Sequence, residues 1–90
     1  MIAADDARRQ ALHGLAGPLR GQGYAVAVES HHLTVTDDEG RRVEVWAQKR
    51  ASDGGRLWFV RAGGFPICEA DRPMDAIVAV KGALAEGGDR

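Results

Sequence analysis

The stretch Arg42–Ala62, RVEVWAQKRASDGGRLWFVRA, decides the fold. Val43, Val45 and Ala47 alternate with Glu44, Trp46 and Gln48, and Leu57 and Phe59 alternate with Trp58 and Val60. A period of two is the mark of a strand whose two faces meet different surroundings. Between the two runs lies ASDGG, a loop rich in turn residues. A five-residue hairpin loop there sets Ala47 opposite Phe59 and Trp46 opposite Val60. The valines and Phe59 then share one face, and both tryptophans of the chain share the other.

Working outward, DDEGR (37–41) is the next turn signal upstream. An aspartate opening a type I turn, with Gly40 left-handed, makes a three-residue hairpin loop. It pairs Asp37 with Arg41, Val35 with Val43 and Leu33 with Val45. Before it, YAVAVES (24–30) and LTVTD (33–37) flank His31-His32. With those two histidines as the loop, Val28 falls opposite Val35, and the pair reads as turn residues rather than metal ligands. Downstream, Gly63-Gly64 turns into FPICEA (65–70), setting Val60 against Ile67 and Phe59 against Cys68. Pro66 cannot donate to a ladder, so this strand lies at an edge.

Helical patterns bound the sheet. Across 5–21, Ala11, Leu12, Leu15, Ala16 and Leu19 recur at steps of three and four, with Asp5 or Asp6 as the cap. Pro18 predicts a kink or an early end. Across 72–86, Asp71 is the expected cap, Pro73 opens the helix and Gly87 closes it. Ile77, Val80 and Leu84, with Ala76 and Ala83, form its buried stripe. The terminal EGGDR reads as frayed. The 90 residues thus form a single α+β domain over 1–90: helix (5–21), a four- to five-stranded antiparallel meander (24–69), and helix (72–86). Both helices cover one apolar face, made of Tyr24, Val26, Val28, Leu33, Val35, Val43, Val45, Ala47, Leu57, Phe59 and Cys68.

The other face is polar or small along its first strands, as a solvated face should be. Its later strands are not. Trp46, Trp58, Val60, Phe65 and Ile67 are expected to cluster there as an apolar patch, and monomers rarely leave such patches uncovered. These five are the candidate partner interface. A homodimer is the first candidate, and another protein partner the second.

Composition limits the other function classes. The net charge is −1, so the whole chain is no polyanion binder. Between 41 and 61, however, six basic residues face two acidic ones, leaving +4 there and −5 elsewhere. Tryptophans flanked by arginines suit single-stranded nucleic acid. Arg42, Arg50, Arg56 and Arg61 are therefore the candidate contacts of the alternative reading.

An enzyme is not expected. Cys68 is the single cysteine, followed by Glu69 and Asp71, which disfavour a thiolate. It reads as a small core residue beside Phe59. Ser30 and Ser52 both fall in turns, and no phosphate-loop pattern or spaced metal ligands occur, so no catalytic, cofactor or metal residue is assigned. MIAADDARRQ lacks the apolar core of a secretory leader, no run approaches a membrane span, and a lone cysteine suits a reducing cytoplasm.

Ten arginines to two lysines suggest a GC-rich bacterial genome. The run Arg41–Leu84, RRVEVWAQKRASDGGRLWFVRAGGFPICEADRPMDAIVAVKGAL, resembles small uncharacterised proteins of high-GC actinobacteria. That resemblance implies a bacterial cytoplasmic setting and a role as accessory to another gene product. It implies no site residues.

Overall fold

Turn chemistry and strand alternation assemble into helix, five-stranded sheet, helix. The computed structural model describes residues 4–89, with side chains from Asp6 onward. Helix α1 spans Ala4–Gly21; strands β1 to β5 span Ala25–Val28, His32–Thr36, Arg42–Arg50, Arg56–Arg61 and Phe65–Glu69; helix α2 spans Pro73–Ala85. All neighbouring strands are antiparallel, in the order β1-β2-β3-β4-β5. No helix among the described residues is long and apolar enough to cross a membrane.

The two helices share one face of the sheet. Leu12, Leu15 and Leu19 of α1 and Ile77, Val80 and Leu84 of α2 form one buried cluster with Leu33, Val35, Val43, Val45, Ala47 and Phe59. Each fully buried Val, Leu or Phe contributes about 1.5–3 kcal/mol relative to exposure. This inner face is the core the alternation predicts.

Both helices stop by the same device. Tyr24 N–H donates to Leu19 O at 3.2 Å and Gly23 N–H to Arg20 O at 3.0 Å, with Gly23 left-handed at φ 94°. In α2, Gly88 N–H donates to Ala83 O and Gly87 N–H to Leu84 O, with Gly87 at φ 113°. These are paired Schellman closures, which satisfy carbonyls the helix cannot. Pro18 lies inside α1 and does not end it; the helix runs on to Gly21. Asp5 and Asp6 lie within α1 instead of capping it. Asp71 misses the cap of α2 by one residue: Arg72 holds that position, with no side-chain bond to the helix.

The register is as expected across β2, β3 and β4. Leu33 pairs Val45, Val35 pairs Val43, Ala47 pairs Phe59 and Trp46 pairs Val60. Asp37 fixes the first of these turns. Its Oδ1 accepts from the N–H of Glu39 and of Arg41, its Oδ2 accepts from Arg41 Nε at 2.7 Å, and Gly40 is left-handed at φ 81°. Burial pushes the Asp37 carboxyl up, but the Arg41 side chain and the two backbone donors outweigh it and hold the group below its usual range.

Two hairpins depart from expectation. Val28 pairs Leu33, not Val35, and Glu29 N–H donates to His32 O at 2.7 Å. The turn is therefore Ser30-His31, and His32 belongs to β2. The turn is made with negative φ, as at every described non-glycine residue. The shift is two residues, so every side chain keeps its face.

The second departure flips faces. Phe59 pairs Cys68 as predicted, but Val60 pairs Pro66 and Arg61 pairs Phe65, with a bulge that leaves Ile67 extra. The physical reason is Pro66. Ala70 N–H donates to Leu57 O, so by alternation the odd residues of β4 bond to β5. Without the bulge Pro66 would sit opposite Arg61 and owe a bond it cannot make. The extra residue moves Pro66 opposite Val60, where its nitrogen faces outward.

Of the expected frayed EGGDR, residues 86–89 are held in place and Arg90 lies outside the described residues. Ala47 N–H donates to His31 O, so the odd residues of β3 bond to β2 and, by the same alternation, the even residues bond to β4. Strand β4 stops at Arg61, so Arg42 and Glu44 have no β4 residues opposite them. Asp89 fills the gap: its N–H donates to Arg42 O and its carboxylate accepts from Glu44 N–H at 2.8 Å. At the opposite edge of the sheet, Arg20 Nη2 donates to Val26 O at 2.9 Å and occupies one carbonyl of β1.

Candidate functional site

The helix-free face carries the residues singled out in the sequence, and the bulge sorts them. Trp46, Trp58 and Val60 share this outer face, along with Arg42, Arg50 and Arg56. Phe65 and Ile67 do not. Phe65 pairs Arg61 and so turns to the helix side, where it is 68% exposed; Ile67 packs against the helix-side core. Arg61, odd in β4, likewise lies on the helix side, where Nη2 reaches Asp89 Oδ1 at 2.8 Å. The expected patch of five thus contracts to three, and the expected set of four arginines also contracts to three.

Val60 is 3% exposed although no helix covers it. Its cross-strand neighbours are Trp46 on β3 and Pro66 on β5, so this end of the outer face is dry because of its own side chains.

Each tryptophan is half-buried and held by two neighbours. The Trp46 ring stacks on His32 with centroids 4.4 Å apart and planes at 24°, and its Nε1 donates to Glu44 Oε1 at 3.2 Å. Offset aromatic pairs contribute about 0.5–1.5 kcal/mol beyond area burial. The Trp58 Nε1 donates to Asp53 Oδ2 at 2.8 Å, and the Arg50 guanidinium lies 4.8 Å from its ring centroid. Such cation–π contacts contribute about 0.5–1 kcal/mol where solvent has access. The 3-10 turn Ala51–Asp53, closed by left-handed Gly54, brings Asp53 back toward Trp58.

The arginines are mostly engaged. Arg56 meets Glu69 at 2.9 Å, Arg50 bonds Ser52 as well as facing Trp58, and Arg61 holds the tail. Arg42 is exposed on the outer face. With Glu44, Asp53 and Glu69 interspersed, the face is mixed in charge.

Four functional neighbours were missed in the sequence: His32, Glu44, Asp53 and Asp89. For His32 the signal was present, since pairing Leu33 with Val45 already sets His32 opposite Trp46. Asp53 carries a weaker one, five residues before Trp58 in a short loop. Asp89, 45 residues from its Glu44 partner, has none that is local.

Cys68 sits opposite Phe59 on the helix side, half-buried, with Sγ 3.4 Å from Arg72 O. Burial first, then the charge of Asp75, push its thiol pKa up, with Arg72 opposing in part. It is a neutral thiol at neutral pH, not a poised nucleophile. Among the described residues no group of three or more His, Cys, Asp or Glu side chains is placed to hold a metal ion. What the outer face offers is two oriented indole rings whose N–H donors are already used. No protein-family model, curated protein or solved structure matches the chain.

Proposed function

We propose that this chain is a non-catalytic interaction module that docks on protein through its outer sheet face, with a second copy of itself as first partner. The observation that carries this reading is the contrast in cover. One face of the sheet lies under two helices, while the other bears Trp46 and Trp58 with no helix above them. Tryptophan and arginine dominate the energetics of protein contacts. Rings already held by His32, Glu44, Asp53 and Arg50 lose little further freedom on binding, which lowers the cost of association. The bacterial cytoplasmic setting and the accessory role belong to the same proposal.

Sedimentation velocity tests it. At about 50 µM, a contact worth about 6 kcal/mol pairs a large share of the chains. The wild type is expected to sediment partly as a dimer and the Trp46→Ala/Trp58→Ala variant as a monomer. A monomeric wild type removes self-association, and a variant that still dimerises removes this face as the interface.

The nucleic-acid alternative draws thinner support. Its favouring observation is that Arg42, Arg50 and Arg56 share the tryptophan face. Against it, the ring surfaces that bases would need already carry His32 and Arg50, and Arg56 is paired with Glu69. Salt-sensitive quenching of tryptophan emission by an oligonucleotide would favour it.

A further inference from the structure

The tail and the tryptophan face meet at one residue. Glu44 gives its backbone N–H to the Asp89 carboxylate and receives Trp46 Nε1 on its side-chain Oε1. The tail is built to seat there. Gly88 is left-handed at φ 73°, and a Cβ at that position would lie 2.5 Å from Arg42 O and 3.0 Å from Arg42 N. Those are backbone atoms of a central strand, so only glycine passes this close. Asp89 then satisfies two ladder groups of β3 that β4 leaves open, Arg42 O and Glu44 N–H. Arg61 completes the grip on Oδ1, although its own Nε is buried without a hydrogen-bond partner.

We infer that Gly88-Asp89 is a strap that replaces the missing end of β4 and, through Glu44, positions Trp46, so that seating of the tail governs the tryptophan face. This rests on the reading of that face as a contact surface. Its physical content, coupling from Asp89 to Trp46, is measurable without any partner. With the tail seated, the backbone at Glu44 is bonded toward the β4 side and its carboxylate is aimed at the indole. With the tail lifted, Glu44 N–H turns to water and the strand end that orients the carboxylate loosens. Trp58 is held by Asp53 and Arg50 instead, so it is the internal control.

The experiment uses the full chain with single-tryptophan reporters, Trp58→Phe to watch Trp46 and Trp46→Phe to watch Trp58. Into each go Gly88→Ala, Asp89→Ala and the milder Asp89→Asn, which keeps an acceptor for Glu44 but loses the charge facing Arg61. Amide hydrogen exchange at Glu44 should quicken about tenfold in Gly88→Ala and Asp89→Ala, and less in Asp89→Asn. Acrylamide quenching of Trp46 should roughly double in the same order, with Trp58 unchanged, since a freed side chain becomes more open to solvent. Unchanged exchange at Glu44 overturns the strap. Faster exchange with unaltered Trp46 quenching overturns the coupling, as does quenching that rises equally at both tryptophans. A chain that proves monomeric in sedimentation leaves each of these outcomes as decisive as before.

Discussion

The two faces of this sheet hold their apolar side chains by different means. On the helix side, Val43, Val45, Leu33 and Phe59 are buried by two helices, through contacts that have no direction. On the outer side, Trp46 and Trp58 are each held by one stacked or cationic neighbour and one carboxylate. Burial by area is set by how much apolar surface a helix stripe presents. Burial by partners is set by geometry at single atoms. The first tolerates errors of register by two; the second does not, because a hydrogen bond is lost within an ångström.

The sharpest break of this contrast is a large-to-small change inside. Phe59→Ala should cost about 3–5 kcal/mol in urea unfolding, the range of a buried aromatic truncation that leaves a cavity. The outer face should respond less. Asp53→Ala strips Trp58 Nε1 of its acceptor and should cost about 1 kcal/mol, with Asp53→Asn recovering part of it. If Asp53→Ala costs as much as Phe59→Ala, the outer face is a second core and the contrast fails. The smallest effect belongs to the rim, at Asp37. Its carboxyl is depressed in the folded state, so its contribution is present above the ordinary value of 3.8 and disappears as pH falls through the lower folded value. Asp37→Asn should be less stable than wild type at pH 7, and the gap should close as pH falls below 3.8 and through the lower folded value. A gap that is constant with pH would assign the turn's stability to the backbone bonds alone.

The same contrast explains what could be read from the residues. The register of β2, β3 and β4 was legible because its turns carry their own chemistry: Asp37 with Gly40, and Ser52-Asp53-Gly54-Gly55. The inner face followed from alternation alone. The bulge did not, since knowing that Pro66 edges the sheet is not the same as knowing which of its neighbours owes a bond. One missed residue moved Phe65 and Ile67 to the other side. The tail failed for a different reason. Glycines near a chain end read as loose, and their need here is set by Arg42, 46 positions earlier. His32 was lost because the turn lies one residue earlier, at Ser30-His31, which puts His32 in β2.

Strand edges carry one more lesson. A sheet grows when a bare rim of donors and acceptors accepts another chain. At β5, Pro66 withholds a donor and the displaced residue beside it warps the rim. At β1, Arg20 occupies the carbonyl of Val26. With Pro66 at one rim and Arg20 at the other, each edge of the sheet carries a group that hinders pairing with a further strand.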